Sequence, residues 1–139
     1  MRLHMNDITA SIGLVQLRRL RQLNAKRAEL VARYEEHLSD VAQFNPVRAR
    51  PLTQPSHHMY TVRMPARDEF IDQMERRGIS IGVHYVPIHL FTIAQRFRRT
   101  LPVTDVVWRQ VTTFPLFPSM TTGEHDRVVQ AAREAARAL

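Results

Sequence analysis

Cysteine is absent from the 139 residues. That single absence removes disulfides, thiolate nucleophiles and cysteine-ligated zinc together, and it suits a reducing, cytoplasmic compartment. Lysine is nearly absent: Lys26 is the only one, so chemistry that needs a primary side-chain amine has one candidate. The four glycines, Gly13, Gly78, Gly82 and Gly123, stand alone, which excludes a glycine-rich phosphate loop. No G-x-S-x-G elbow and no H-E-x-x-H pair occurs. No apolar run approaches the ~20 residues that cross a bilayer. The stretch Met1 to Asp7 lacks the apolar core of a signal peptide, so no secretory leader is expected.

What is present is the composition of an ordinary folded chain: 44% apolar, 24% charged and without low-complexity tracts. The length is that of one domain, enough to bury roughly 68–70% of the unfolded surface without metal or disulfides. The net charge is +7, carried almost wholly by arginine. Arginines are spread from Arg2 to Arg137 and interleaved with acids, as at Glu35-Glu36 and Asp68-Glu69. A surface that tracks nucleic-acid phosphates concentrates its basic residues on one face among aromatics, so nucleic acid is a disfavoured partner.

Residues 8–39 have helical period, with Ile8, Ile12, Val15, Leu20, Leu23, Leu30, Tyr34 and Leu38 recurring between polar residues. Asn6 or Asp7 is placed to cap its start. At ~1.5 Å per residue such a helix runs on the order of 48 Å, longer than a small domain is wide. It must kink near Asn24 or reach something outside the domain. A connector with Pro46, Pro51 and Pro55 follows, then a strand over 59–64, a helix over 67–77 closed by Gly78, and an alternating strand over 79–86. A short helix around 105–109, a strand over 111–117 interrupted by Pro115, and a last helix from Thr121 or Thr122 to Ala138 complete the order. Glu124 is spaced for a capping box with Thr121. The fold class is α+β: a small, mostly antiparallel sheet covered by helices and preceded by a long helix. Residues 1–40 form the loop and long helix, 41–139 the small domain.

Two segments concentrate chemistry. His84-Tyr85-Val86-Pro87-Ile88-His89 ends an apolar strand, where two imidazoles and a phenol are placed to bond sugar hydroxyls or phosphate. The alternative is structural, with His84 a satisfied core residue and His89 simply exposed. The other is Arg2 to Asp7, where a helix start and Arg2 suit an anion, although Asp7 competes for the same N–H groups. No metal site is expected among the seven histidines: His57 and His58 are adjacent and point apart, and Pro87 separates His84 from His89.

At these segments the chain resembles the DegT/DnrJ/StrS family of pyridoxal-phosphate-dependent sugar aminotransferases. His4-Met5-Asn6-Asp7-Ile8-Thr9-Ala10-Ser11-Ile12-Gly13-Leu14-Val15-Gln16-Leu17 is similar to the family's R/H-M-N-D-I-x-A-A-I-G-L-x-Q-L helix start. The stretch Gly78 to His89 is similar to its G-I-x-x-x-x-H-Y-x-P-L-H strand, and Phe114 to Thr121 to its L-P-L-F-P-x-M-T turn. The three occur in family order across nearly the whole chain.

The resemblance implies the C-terminal small domain of an aspartate-aminotransferase-type fold, working at a dimer interface. It implies that Arg2 approaches the cofactor phosphate, and that His4, His84, Tyr85 and His89 face the sugar substrate. Many members have Asn-x-Arg-Met where this chain has Arg2-Leu3-His4-Met5; arginine retains a forked grip on phosphate. The family's Schiff-base lysine and the acid that partners the pyridine nitrogen belong to the large domain. Lys26 reads as a solvated surface residue, so no catalytic residue is expected within the chain.

The implied function is the C-terminal part of a split or truncated nucleotide-sugar aminotransferase, using pyridoxal phosphate only with a complementary large domain. That large-domain chain, a second copy, or both would be its partners. The alternative is a non-catalytic remnant or a protein-binding and dimerisation module of the same fold.

Overall fold

The computed structural model describes residues 4–139. Helix α1, Asp7–Leu38, runs unbroken for 32 residues, with Asn6 as its cap: the Asn6 side chain accepts from the Thr9 N–H at 2.9 Å. Only its last third enters the core, through Leu30, Val31, Tyr34 and Leu38. Of the two expectations for this over-long helix, the structure shows projection.

Three antiparallel strands, β1 (Asn45–Pro46), β2 (Tyr60–Arg63) and β3 (Val111–Phe114), form a sheet in the order β1-β2-β3. Tyr60 pairs with Phe114 and Arg63 with Val111. Strand β1 falls inside the proline-broken connector and was not expected; at two residues it is too short for a period to register. Strand β3 stops at Phe114 rather than residue 117, because Pro115 has no N–H to continue the ladder.

Helix α2, Arg67–Arg76, closes at Gly78, whose φ of +72° is the left-handed conformation that favours glycine after a helix. Helix α3 spans Pro102–Gln110, starting earlier than expected because Pro102 sits in its first turn, where a missing N–H costs nothing. Helix α4, Thr122–Arg137, carries the expected capping box between Thr121 and Glu124.

The main correction concerns residues 79–86. Their alternation is real, with Ile79 and Ile81 buried, but the backbone joins the sheet only at Gly82, which bridges Thr113. Thr113 donates to the Gly82 carbonyl at 2.8 Å and Gly82 donates back at 3.1 Å. After that single pairing the chain turns off as a loop and then two 3-10 segments, Ile88–Leu90 and Thr92–Phe97, which alternation could not reveal.

The core lies between the sheet, α2, α4 and the end of α1. Tyr34, Tyr60, Val62, Met64, Phe70, Met74 and Phe114 fill it, and α4 contributes Val128, Ala132 and Ala135. Small residues on α4 let that helix approach its neighbours closely.

Candidate functional site

The histidine–tyrosine loop is held out at the sheet edge. Thr113, buried in β3, meets the exposed His84, with Oγ1 to Nδ1 at 3.0 Å. Tyr85 stands edge-on to the His84 ring, centroids 4.9 Å apart, and is 75% exposed. The peptide between them is cis. Beside this pair lies an open, largely apolar cavity of about 400 Å³, walled by Pro87, Val103, Val107 and Trp108. The exposed polar tips of His84 and Tyr85 at an apolar cavity are suited to a ligand with hydroxyls on one side and a carbon face on the other.

His89 is placed differently. It is buried, and its Nε2 meets Asp105 Oδ1 at 2.9 Å, which ties the 3-10 segment Ile88–Leu90 to α3. The structural alternative is therefore reversed for these two residues: His84 is outside and His89 inside. Arg67, also buried, donates Nη1 to the Trp108 and Val111 carbonyls at 3.3 Å each and lies over the Trp108 ring at 5.8 Å. These contacts fix the cavity's α3 wall against the sheet.

Trp108 is a site residue the sequence reading missed. Its Nε1–H is buried without a hydrogen-bond partner in the cavity wall. Its being the only tryptophan was the available signal.

His4 is exposed just before α1, and Arg2 lies outside the described residues. Among the described residues, none from 4 to 29 makes a hydrogen bond beyond α1 and its cap. From the start of α1 to Leu30, where burial begins, is roughly 35 Å of helix. Among the described residues no hydrogen bond joins His4 to the His84–Tyr85 pair. The projecting half of α1 carries exposed Ile8, Ile12, Val15 and Leu20.

A second cluster, distant in sequence, forms where α1 leaves the core. His125 on α4 is fully buried against the Tyr34 ring, centroids 4.0 Å apart, and His37 and Asp126 stand beside it. Burial pushes the His125 imidazole below its ordinary value, the Arg33 charge adding to this and the Leu30 carbonyl opposing it.

The chain matches the DegT/DnrJ/EryC1/StrS aminotransferase family over residues 1–133. It belongs to that family. Among solved structures it resembles the aminotransferase TlmJ from Streptoalloteichus hindustanus, at 30% identity and a TM-score of 0.91 over 96% of this chain and 37% of that one. DesV of S. venezuelae matches equally, at 30% identity and TM-score 0.91, with 96% and 37% covered. The putative sugar aminotransferase Spr1654 from Streptococcus pneumoniae, in its PLP form, matches at 26% and 0.88, with 97% and 36% covered.

The chain thus spans little more than a third of the length of these relatives and has the architecture of the small domain of such enzymes. Lys26 is exposed on the projecting part of α1. No described helix is long and apolar enough to cross a membrane.

Proposed function

We propose that this chain is the small-domain part of a pyridoxal-phosphate-dependent nucleotide-sugar aminotransferase, which moves an amino group from an amino acid such as glutamate to a keto-sugar nucleotide. The observation that carries this reading is the exposed His84–Tyr85 pair at the cavity mouth, in a chain whose family match runs nearly end to end. The chain's own contribution is binding. His84, oriented by Thr113, and the Tyr85 hydroxyl bond the sugar's hydroxyls, while the Val103, Val107 and Trp108 wall excludes water from its carbon face. His4, with Arg2, reaches phosphate of cofactor or substrate in a neighbouring subunit, which matches the reach of the projecting helix. His89 supports this side by holding the loop to α3 rather than by touching sugar.

The cofactor, its lysine and the amino-transfer chemistry come from a large domain outside these 139 residues, on the same or another polypeptide. That domain covers the apolar face of Ile8, Ile12, Val15 and Leu20. The setting is cytoplasmic, where the cofactor and nucleotide sugars are found.

The test is reconstitution. The chain and a family large domain, joined or co-expressed, are supplied with pyridoxal phosphate, glutamate and a panel of keto-sugar nucleotides. Amino-sugar product that requires both parts, and that falls when Tyr85→Phe or His84→Ala is introduced, is expected. A folded complex without turnover of any of them favours the non-catalytic dimerisation module instead. Activity of this chain alone that disappears in Lys26→Ala would overturn the assignment of roles.

A further inference from the structure

The cluster between α1 and α4 has no part in the sugar-facing site. His125 Nε2 lies 3.2 Å from the Leu30 carbonyl, and a carbonyl only accepts, so Nε2 carries the hydrogen. The neutral ring then presents a bare lone pair at Nδ1. That atom is buried and has no hydrogen-bond partner, although a lone pair in such surroundings is costly to leave unused. It faces Asp126, 3.8 Å from Oδ1, too far for a hydrogen bond. One ligand atom from each of His37, His125 and Asp126 lies within 4.8 Å of the others.

We propose that His37, His125 and Asp126 bind a divalent transition-metal ion of the zinc type, which clasps α1 to α4 where α1 leaves the core. Two features beyond proximity carry this. A metal-binding imidazole characteristically gives its other N–H to a backbone carbonyl, and His125 does so to Leu30. In a tetrahedral zinc site with bonds of about 2.0–2.1 Å, neighbouring ligand atoms stand roughly 3.3 Å apart. The 3.8 Å between His125 and Asp126 is close to that spacing.

Two nitrogens and one carboxylate oxygen suit zinc better than calcium or magnesium, which prefer all-oxygen shells. His37 and Asp126, though not His125, line a groove of about 440 Å³ that also carries Glu134 and the guanidinium groups of Arg33, Arg133 and Arg137. Arg33, which donates to Asp126 at 2.8 Å, shares the carboxylate with the metal and places a competing positive charge beside it. The site therefore binds a metal in exchange for part of that ion pair.

The experiment titrates the chelator-treated 139-residue chain with Co²⁺ and then Zn²⁺, reading visible absorbance and circular dichroism together. One equivalent of Co²⁺ should give a tetrahedral band that Zn²⁺ abolishes. If the chain folds only with metal, helix content should rise over the same equivalent. His37→Ala and Asp126→Asn, at positions that reach solvent, should weaken binding at least about tenfold. His57→Ala with His58→Ala should leave it unchanged. Absence of both a band and a helix gain overturns the proposal. So does affinity that survives His37→Ala or is lost in the His57/His58 control.

Discussion

Tyr34 on α1 and Tyr60 on β2 stack face to face, centroids 4.9 Å apart and planes 9° from parallel. This contact joins the end of the projecting helix to the sheet. The Tyr34 hydroxyl then passes through the core to donate to the Pro115 carbonyl at 2.8 Å, the first residue after β3. One side chain thus links the helix that leaves the domain, the central strand, and the turn that leads to α4. Burial pushes both phenols up, Tyr60 to about 12, so neither ionises near neutrality.

Tyr34→Phe keeps the stack and removes only the donor to Pro115. It should cost about 1–2 kcal/mol, because the partner carbonyl is left without its bond. Tyr34→Ala removes the ring as well and should cost about 3–5 kcal/mol. Urea unfolding of the two variants checks the order: no loss in Tyr34→Phe would show that the hydroxyl contributes nothing, and equal losses would show that the stacked ring adds nothing to it.

Gly82 decides where His84 stands. A Cβ at this position would lie 2.6 Å from Cε1 of His84, so Gly82→Ala must push the imidazole away from Thr113. The displaced group is the end of a movable side chain, and stability should change by less than about 1 kcal/mol. Turnover in the assembled enzyme should fall on the order of a hundredfold, as misplacing a substrate contact by about 1 Å does. Melting temperature and kcat/KM measured on the same sample separate the two effects. A variant that loses stability but not activity would remove His84 from the binding role.

Two exposed carboxylates make the fold sensitive to acid. Hydrogen bonds from Arg133 hold Asp40 below the usual carboxylate range, and the Thr121 backbone N–H, at 2.8 Å, does the same for Glu124. A depressed folded-state value means that the unfolded chain takes up protons first as pH drops. The stabilisation is complete above the ordinary carboxylate range near pH 4 and is lost as pH falls through the lower folded values. Asp40→Asn and Glu124→Gln should each melt lower at pH 6 and show a flatter decline below pH 4. Melting temperatures from pH 6 to 2 supply the comparison, and parallel curves for wild type and variants would exclude the linkage.

The legible parts of the fold were those specified by neighbours in sequence. The capping box of Thr121 and Glu124, the glycine stop at Gly78 and the amphipathic period of α1 act over a few residues, and each was realised. The 79–86 segment shows the limit of such reading. Alternation reports which side chains are buried, and Ile79 and Ile81 are; it does not report whether a partner strand continues alongside, and beyond Gly82 none does. The site was legible only through motif resemblance. Residue types alone leaned towards a structural role, with His84 inside and His89 exposed; the structure places them the other way round, because the deciding partners, Thr113 and Asp105, are 29 and 16 residues away.

By itself the sequence determined the α+β class, the over-long first helix, the family and the want of a second lysine. These follow from composition, short-range period and motifs, which are properties of the chain in any conformation. Tertiary structure decided that His84 faces solvent and His89 faces Asp105, that Trp108 lines a cavity, and that His37 meets His125 and Asp126. Each of these depends on two segments far apart in the chain being held at a few ångströms by a shared core. No local pattern encodes such a distance.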